Sequence, residues 1–549
     1  MADIVLTTLN AKYIHPAFGL RYLFANLGHL QPRATLVEFD INQRPVDILE
    51  RLLAHSPAII GLGVYIWNAR AAADLVALLK RVRPGVTVIL GGPEVSFESE
   101  HQAICQAADY VLCGEADLKF AEVCAAILDG HPPAQKVIQA ELPDFSRLAL
   151  PYHLYSADDI ANRILYVEAS RGCPFSCEFC LSSLDIPVRQ VPLENFLAGM
   201  DLLLRRGARQ FKFVDRTFNL NARVSSAILE FLWKRYQPGM FFHFEMVPDR
   251  LPESLREIIQ QFPPGSLQFE VGIQSFNPEV GALIQRRQDY EKLEENLRFL
   301  RENTGIHIHA DLIVGLPGET VQSFAAGFDR LVALRPHEIQ VGILKKLRGT
   351  PIARHDGPWQ MVYSPEPPYE ILQNKLIHFE MMQRLRRFAR YWDLVGNSGN
   401  FSQTLPLLWV PAGSPFQTFL DWSDWLYQQT GRTDSIALVR LAELWFRYLT
   451  TCARLEPRAV ALRLLEDYGA PGRKDVPSFL VPHLPAEYTI SRAQPPISSR
   501  ASGGAWASGT RTRICSVLYT WTSIGHAGAS LTWQPHNCQR GERITSTNP

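Results

Sequence analysis

The chain has 549 residues, 46% hydrophobic and 20% charged, with 55 basic against 55 acidic side chains. That length fills two or three domains, the composition is that of a globular protein, and the balanced charge leaves no global footprint for nucleic acid. Nine cysteines are too sparse for a disulfide framework, the start lacks a signal-peptide pattern and no apolar run approaches the ~20 residues of a membrane span, so the expected compartment is a reducing cytoplasm.

Residues 1–130 alternate between strand and helix patterns. Strands are predicted over 3–9, 34–40, 58–65, 86–92 and 109–114, several as continuous apolar runs of the kind buried on both faces. Stretches such as ARAAADLVALLKRV (69–82) carry apolar positions at helical spacing. Five such units make a doubly wound, Rossmann-like parallel sheet whose ligand sits beyond the carboxyl ends of the strands. Those ends carry Tyr13 and His15, then Gly63 and Val64, then Gly91, Gly92, Pro93 and Glu94, then Gly114 and Glu115. Glycine there lets backbone approach a ligand closely, and no G-x-G-x-x-G follows the first strand. With its GGPEVS and GEAD loops, this stretch resembles the cobalamin-binding domain of B12-dependent radical SAM proteins, which implies that these ten residues line a cobalamin site. The D-x-H-x-x-G motif that supplies a cobalt-ligating His in the wider B12-binding family is missing. His15 therefore reads better as a hydrogen-bonding loop residue than as a ligand.

Proline density and lost periodicity predict a surface linker over 131–163. Strand patterns return at 164–170, 210–215, 241–247, 267–275, 308–315 and 338–344, with helices at 193–206, 221–236, 252–261, 290–303 and 319–333. Six such units over 164–350 fit a partial TIM-type barrel with its chemistry at the C-terminal strand ends. The first strand runs into RGCPFSCEFC, placing Cys173, Cys177 and Cys180 at C-x3-C-x2-C. Thiolates are soft ligands for iron–sulfur clusters or zinc. A structural zinc site would want a second ligand pair within about twenty residues, and the next cysteine is Cys452. Three thiols leave one corner of a four-iron cluster open.

This signature resembles that of the radical S-adenosylmethionine (SAM) enzymes. The resemblance implies a [4Fe-4S] cluster on the three cysteines, SAM chelating the fourth iron, and reductive cleavage to a 5′-deoxyadenosyl radical. It implies SAM contacts for Phe179 near the adenine, for Glu270 and Gln274 in an E-x-G-x-Q-S segment, and for Asp311 and Gly315 in DLIVGLPGET. Asp215, at the end of the second barrel strand, is a further candidate, with Asn219 expected to cap the next helix. Glu270 and Gln274 lie four apart, on one strand face. A buried carboxylate there needs a ligand or a cation, and Arg286 or Arg287 follows closely. Lys345 and Lys346 could face a carboxylate of SAM or substrate.

Residues 351–490 are expected to form a mainly helical accessory domain. It opens on a long amphipathic helix over 369–395 and carries an aromatic stripe (Phe416, Phe419, Trp422, Trp425) that reads as core. It resembles an uncharacterised domain that follows the barrel in one subgroup of B12-type radical SAM proteins. Residues 491–549, rich in Ser, Gly, Thr and Arg, read as a disordered or aberrant tail. The whole resemblance implies a cobalamin-dependent methyl transfer to an unactivated centre, with a small-molecule or peptide substrate, a reductant such as flavodoxin or ferredoxin, and no membrane or nucleic-acid partner. Two other readings stay open on the residues. An RNA methylthiotransferase shares the barrel but carries three further N-terminal cysteines, and here Cys105, Cys113 and Cys124 fall late and do not converge. A non-catalytic cobalamin or redox sensor would need no organised substrate cavity, whereas at least three barrel strands carry polar groups.

Overall fold

A computed structural model describes residues 2–184, 187–409, 413–473 and 475–485; the expected tail over 491–549 lies outside the described residues. The first sheet has six parallel strands: β1 (Ile4–Asn10), β2 (Ala34–Asp40), β3 (Ile59–Gly63), β4 (Thr87–Gly91), β5 (Tyr110–Cys113) and β6 (Val137–Gln139), in the order β2-β1-β3-β4-β5-β6. Every residue of β1 and β3 is buried. Alternate residues serve opposite faces. Val5, Ile60, Val88 and Leu90 join the core under the helices Pro45–Leu53 and Ala69–Val82, while Ile4, Leu6, Ile59 and Ile89 join the one under Phe18–Ala25 and Lys119–Leu128.

The sequence led to five strands and a linker; the structure adds β6 from within that linker. Its outer residues Val137 and Gln139 are exposed, so it has no apolar run to read. The rest of the stretch is also packed rather than laid over the surface. Tyr152 and Tyr155 are buried, and their hydroxyls donate to the carbonyls of Glu168 (3.1 Å) and Tyr166 (2.6 Å). A short helix, Ala157–Asn162, is closed by a Ser156 capping box.

The second sheet begins with β7 (Leu165–Val167). A two-residue ribbon, β8 (Ser170–Arg171) with β9 (Arg189–Gln190), brackets the cysteine loop. Five more parallel strands follow: β10 (Gln210–Phe213), β11 (Phe241–Met246), β12 (Leu267–Gln274), β13 (His307–Val314) and β14 (Glu338–Ile343), in the order β14-β13-β12-β11-β10-β7. Helices lie between successive strands, as in a six-stranded partial barrel. One sheet face is aromatic: Phe211, Phe213, Phe242, Phe244 and Phe269 are fully buried, and Phe213 packs on Phe244 (4.3 Å) and on Phe196 of the helix Leu193–Arg205 (5.8 Å). The other face carries Lys212, His243, Gln268, Glu270, His309 and Glu338, also buried. The register aligns Lys212 with His243, Glu270 with His309, and His309 with Glu338. The cap of the helix Ala222–Lys234 is Asn221, not Asn219; Asn219 instead exchanges hydrogen bonds with the backbone of Val247 (2.7 and 2.9 Å).

After the barrel, β15 (Val362–Tyr363) and β16 (Ile371–Gln373) pair antiparallel, and the next helix is Phe379–Val395. The helix expected from 369 therefore starts ten residues later. Buried Ile371 and the Lys345–Glu370 bridge take the first part of the stretch into sheet pairing. Among the described residues, a second compact unit takes in 390–409, 413, 418–473 and 475–485. In it Trp422 and Trp445 are buried edge-to-face at 4.8 Å, and Trp445 Nε1 donates to Thr404 Oγ1 (3.0 Å), which donates to the Asp467 carboxylate (2.7 Å). Of the aromatic stripe, Phe419 and Trp422 are core there, and Trp425 is only partly buried.

Candidate active site

The three cysteines share one cavity of about 140 Å3 with the C-terminal ends of β10 to β13, which contribute Arg216, Glu245, Glu270, Gln274 and Asp311. The loop turns at Gly172, whose φ of +91° is accessible to glycine without strain. Cys177, Phe179 and Cys180 line the cavity. Glu178 between them is buried away from it, held by His355 Nε2 (2.7 Å) and by Arg354. Arg286 donates to Cys177 Sγ (3.4 Å) and to the Gly272 carbonyl, setting a positive charge beside the thiol. Burial pushes the Cys173 thiol up to about 11, so metal coordination, which displaces the proton, is what would make it a thiolate.

Among the described residues no three His, Cys, Asp or Glu side chains close on a single-ion site. Three soft donors spread around one wall suit the separate irons of a cluster better than one ion, and the residues present fit that group. The cavity floor is charged. Burial alone would raise the Glu270 carboxyl, but the Lys212 ammonium (3.3 Å) and the His243 ring (2.9 Å) hold it well below the usual range. The sequence suggested Arg286 or Arg287 as the partner; the neighbouring strands supply it instead. His309 Nε2 lies 3.1 Å from Asp311, and Nδ1 lies 3.1 Å from Glu338. These carboxylates outweigh burial and raise His309 well above its ordinary value. Gln274 follows a register shift at Gly272, has φ +72°, and joins Glu270 on the cavity wall.

Two other expected SAM residues are elsewhere. Asp215 lies outside this cavity, its carboxylate accepting from the Ala169 N–H (2.9 Å) and the Ser170 hydroxyl (2.6 Å). Gly315, at φ +91°, is packed under Ile371 and Met382, where an added Cβ would meet Ile371 Cγ2 at 2.7 Å. Sequence reasoning missed Lys212, His243, His309 and Glu338. Their signal was the alternation in QFKF, FHFE, LQFEV and HIHAD, which sends every polar residue to one face.

A second cavity, of about 270 Å3, lies at the first sheet, lined by Gly61, Gly63, Gly91, Gly92 and Gly114 and by Tyr22, Tyr65 and Phe120. Gly92 has φ +104°, and a Cβ there would stand 2.5 Å from the Val64 carbonyl. Val64 N–H donates to the Gly91 carbonyl (2.8 Å), locking the two loops together. Glycine walls and aromatic edges suit a large flat ligand approached by backbone, and cobalamin fits that description. Five expected contacts do not line the cavity: Val64 is fully buried in the core of the sheet, and Tyr13, His15, Pro93 and Glu94 also lie outside it. Tyr13 is half exposed and bonds Asp158. His15 Nδ1 pairs with the Tyr166 hydroxyl (3.0 Å), and burial pushes its ring down to about 3. Pro93 is exposed. Glu94 is buried against the Tyr369 hydroxyl (2.5 Å) and Arg348 (3.0 Å). Glu115 lines the cavity but is paired with Arg171 (2.8 Å) and Arg189.

Comparison with known proteins adds family context to this geometry. Residues 4–124 match the B12 binding domain, 167–331 the Radical SAM superfamily, and 357–488 a protein family of unknown function, DUF4080. Over 316 residues the chain is 26% identical to the uncharacterized methyltransferase PH0819 of Pyrococcus horikoshii, covering 51% of this chain and 65% of that one. It is 26% identical over 332 residues to the cobalamin-dependent radical SAM methyltransferase TokK of Streptomyces tokunonensis, covering 52% and 47%. The chain thus spans less than two thirds of the length of either relative. The cobalamin-dependent S-adenosylmethionine radical enzyme OxsB shares the fold, with a TM-score of 0.58 at 12% identity over 84% of this chain and 78% of that one. Successive stretches of the chain thus carry a B12 binding domain, a Radical SAM domain and a C-terminal DUF4080 domain.

Proposed function

We propose that this protein is a radical SAM enzyme that cleaves SAM reductively and, with cobalamin, transfers a methyl group to an unactivated centre of its substrate. The observation that carries the reading is the meeting of three thiols with a ring of strand-end polar groups in one cavity, close in sequence to a glycine-walled cavity at the end of a Rossmann-like sheet. Cys173, Cys177 and Cys180 would hold the [4Fe-4S] cluster. Phe179, Glu270, Gln274 and Asp311 would hold SAM, and Gly63, Gly91, Gly92 and Gly114 would cradle cobalamin. When bound, the cluster supplies the electron for SAM cleavage and cobalamin carries the methyl group. The chain's own part is electrostatic. Lys212 faces Glu270 and His309 faces Asp311, which places both carboxylates to meet SAM hydroxyl or ammonium groups, and Arg286 sets a positive charge beside Cys177.

A methylthiotransferase needs a second set of three converging cysteines. Cys105 and Cys113 sit in the core on one side of the first sheet and Cys124 in the core on the other, so those thiols cannot share a cluster. The reductant, of flavodoxin or ferredoxin type, and a cytoplasmic location belong to this proposal. Among the described residues no helix is long and apolar enough to cross a membrane.

The test is anaerobic reconstitution with iron, sulfide and hydroxocobalamin, followed by absorption spectra and an assay for 5′-deoxyadenosine. The expected result is bound cobalamin plus SAM cleavage, with cleavage abolished in Cys177→Ala and cobalamin retained. A cluster that cleaves SAM without cobalamin retention removes the B12 half of the reading; no cleavage under strong reductant removes the enzyme.

A further inference from the structure

One short segment of the barrel touches the loops of both cavities. Arg348 reaches the first sheet: its guanidinium donates to Glu94 (3.0 Å), to Glu98 (2.6 Å) and to the Tyr369 hydroxyl (3.1 Å). Glu94 is two residues past Gly92, so this clamp closes directly on the glycine loop. Gly349 follows at φ +80°, lying so close to the Phe97 ring that a Cβ would overlap it. The chain then makes a tight turn, Pro351–His355. At its far end the Ile352 N–H donates to the Glu178 carbonyl (3.0 Å), His355 Nε2 bonds the Glu178 carboxylate (2.7 Å), and Arg354 pairs with the same carboxylate.

Glu178 stands between Cys177 and Phe179 and is 1% exposed. Its own N–H donates to the Ile284 carbonyl (3.1 Å). Both backbone groups and both carboxylate oxygens of this one residue are thus committed behind the loop, while its two neighbours face the cavity. A buried carboxylate held by the Arg354 guanidinium and the His355 ring of one short segment is expensive to displace, which makes it a firm anchor.

We propose that residues 348–355 are a strap that positions the cysteine loop against the glycine loop of the first cavity, with Arg348 and His355 as its positioning residues. The proposal rests on the reading of the two cavities as cofactor sites. Neither residue lines either cavity; each acts through a glutamate that belongs to a cofactor loop. A strap with two fixed ends makes a specific demand: loosening either end frees the same loop, so the two losses do not add.

The test reads the cysteine loop without any cofactor. The full chain, before cluster assembly, is treated with iodoacetamide under native conditions, and each cysteine is followed by mass spectrometry. Cys452 is exposed and serves as the reference for reagent, while Cys105 and Cys124 are buried and report on the fold. In Arg348→Met and in His355→Leu, alkylation of Cys177 and Cys180 is expected to rise by about tenfold as local opening becomes easier, with Cys105 and Cys124 still protected. The double variant should match the faster single variant. Wild-type rates in Arg348→Met, or a double variant in which the two increases multiply, would overturn the strap. If either variant exposes Cys105 and Cys124, the milder Arg348→Lys and His355→Gln decide by the same comparison. Failure of the wild-type chain to take up iron would defeat the proposed function and leave this result standing, because alkylation needs no cluster.

Discussion

The two parallel sheets obey the same connection rules and differ in what their alternate residues carry. In the first, both faces of β1 and β3 are buried and mainly aliphatic, with Thr7 and Thr8 among the buried polar residues of β1. Its cavity combines glycine backbone at the strand ends with aromatic side chains such as Tyr22, Tyr65 and Phe120. In the second, one face is packed with phenylalanine and the other is a buried lattice of lysine, histidine and carboxylate. That cavity is built from charge. A sheet buried on both sides can be apolar throughout or can close round its polar face and put it to use. One cavity is shaped by glycine backbone and the other by buried charge, and each should break in its own way.

The largest expected effect is in the charged sheet. Lys212→Met removes the ammonium 3.3 Å from Glu270 and leaves the carboxylate with His243 alone. Removing one partner of a buried pair costs about 3–5 kcal/mol. The folded Glu270 carboxyl is held well below its ordinary value. Its stabilising contribution is therefore present above the unfolded value and lost only as pH falls through the folded one. At neutral pH the wild type keeps that contribution in full and the variant does not. Denaturant unfolding at pH 7 measures the loss, and SAM affinity should fall with it. A variant as stable as the wild type would mean that the lattice contributes nothing net.

In the aliphatic sheet the corresponding break is steric. Gly92→Ala places a Cβ 2.5 Å from the Val64 carbonyl at a φ of +104°, a strain of order 1–3 kcal/mol. Cobalamin retention after gel filtration is expected to drop while iron content holds. Loss of both together would show that the two cavities do not fail separately.

The contrast also explains what the sequence disclosed. The strands of both sheets were legible because alternation or continuous apolarity is imposed by burial, and the cysteine spacing named the loop that holds the thiols. Glu270, Gln274 and Asp311 stand at strand ends and meet in one cavity, as polar residues at the ends of neighbouring parallel strands do. Tyr13, Glu94 and Gly315 stand outside the two cavities for one shared reason. Each sits in a loop that looks like a ligand loop, and each is bound to a partner far along the chain: Tyr13 to Asp158, Glu94 to Arg348, Gly315 to Ile371. Such partners belong to tertiary structure and leave no local pattern. The strand β6 escaped because three residues with exposed faces carry no periodicity.

Asp215 gives the smallest and most discriminating test. Burial pushes its carboxyl up to about 7, against hydrogen bonds from Ser170 and Ala169 that favour the ionised form. The folded value stands above the unfolded 3.8, so the folded state binds the proton more tightly. Stability from this group is complete below the unfolded value and declines as pH rises toward 7, by at most about 1.4 kcal/mol per pH unit. Asp215→Asn has no such proton. Measured by denaturant unfolding at pH 5, 6, 7 and 8, the wild type should lose ground to the variant up to pH 7 and hold level above it. Because the carboxylate is engaged by the Ala169 N–H and the Ser170 hydroxyl and lies outside the cysteine cavity, SAM affinity should stay within about twofold, the scale of a substitution away from the site. A constant stability gap across the pH range would mean that Asp215 stays ionised, and a large loss of SAM affinity would return it to the cofactor.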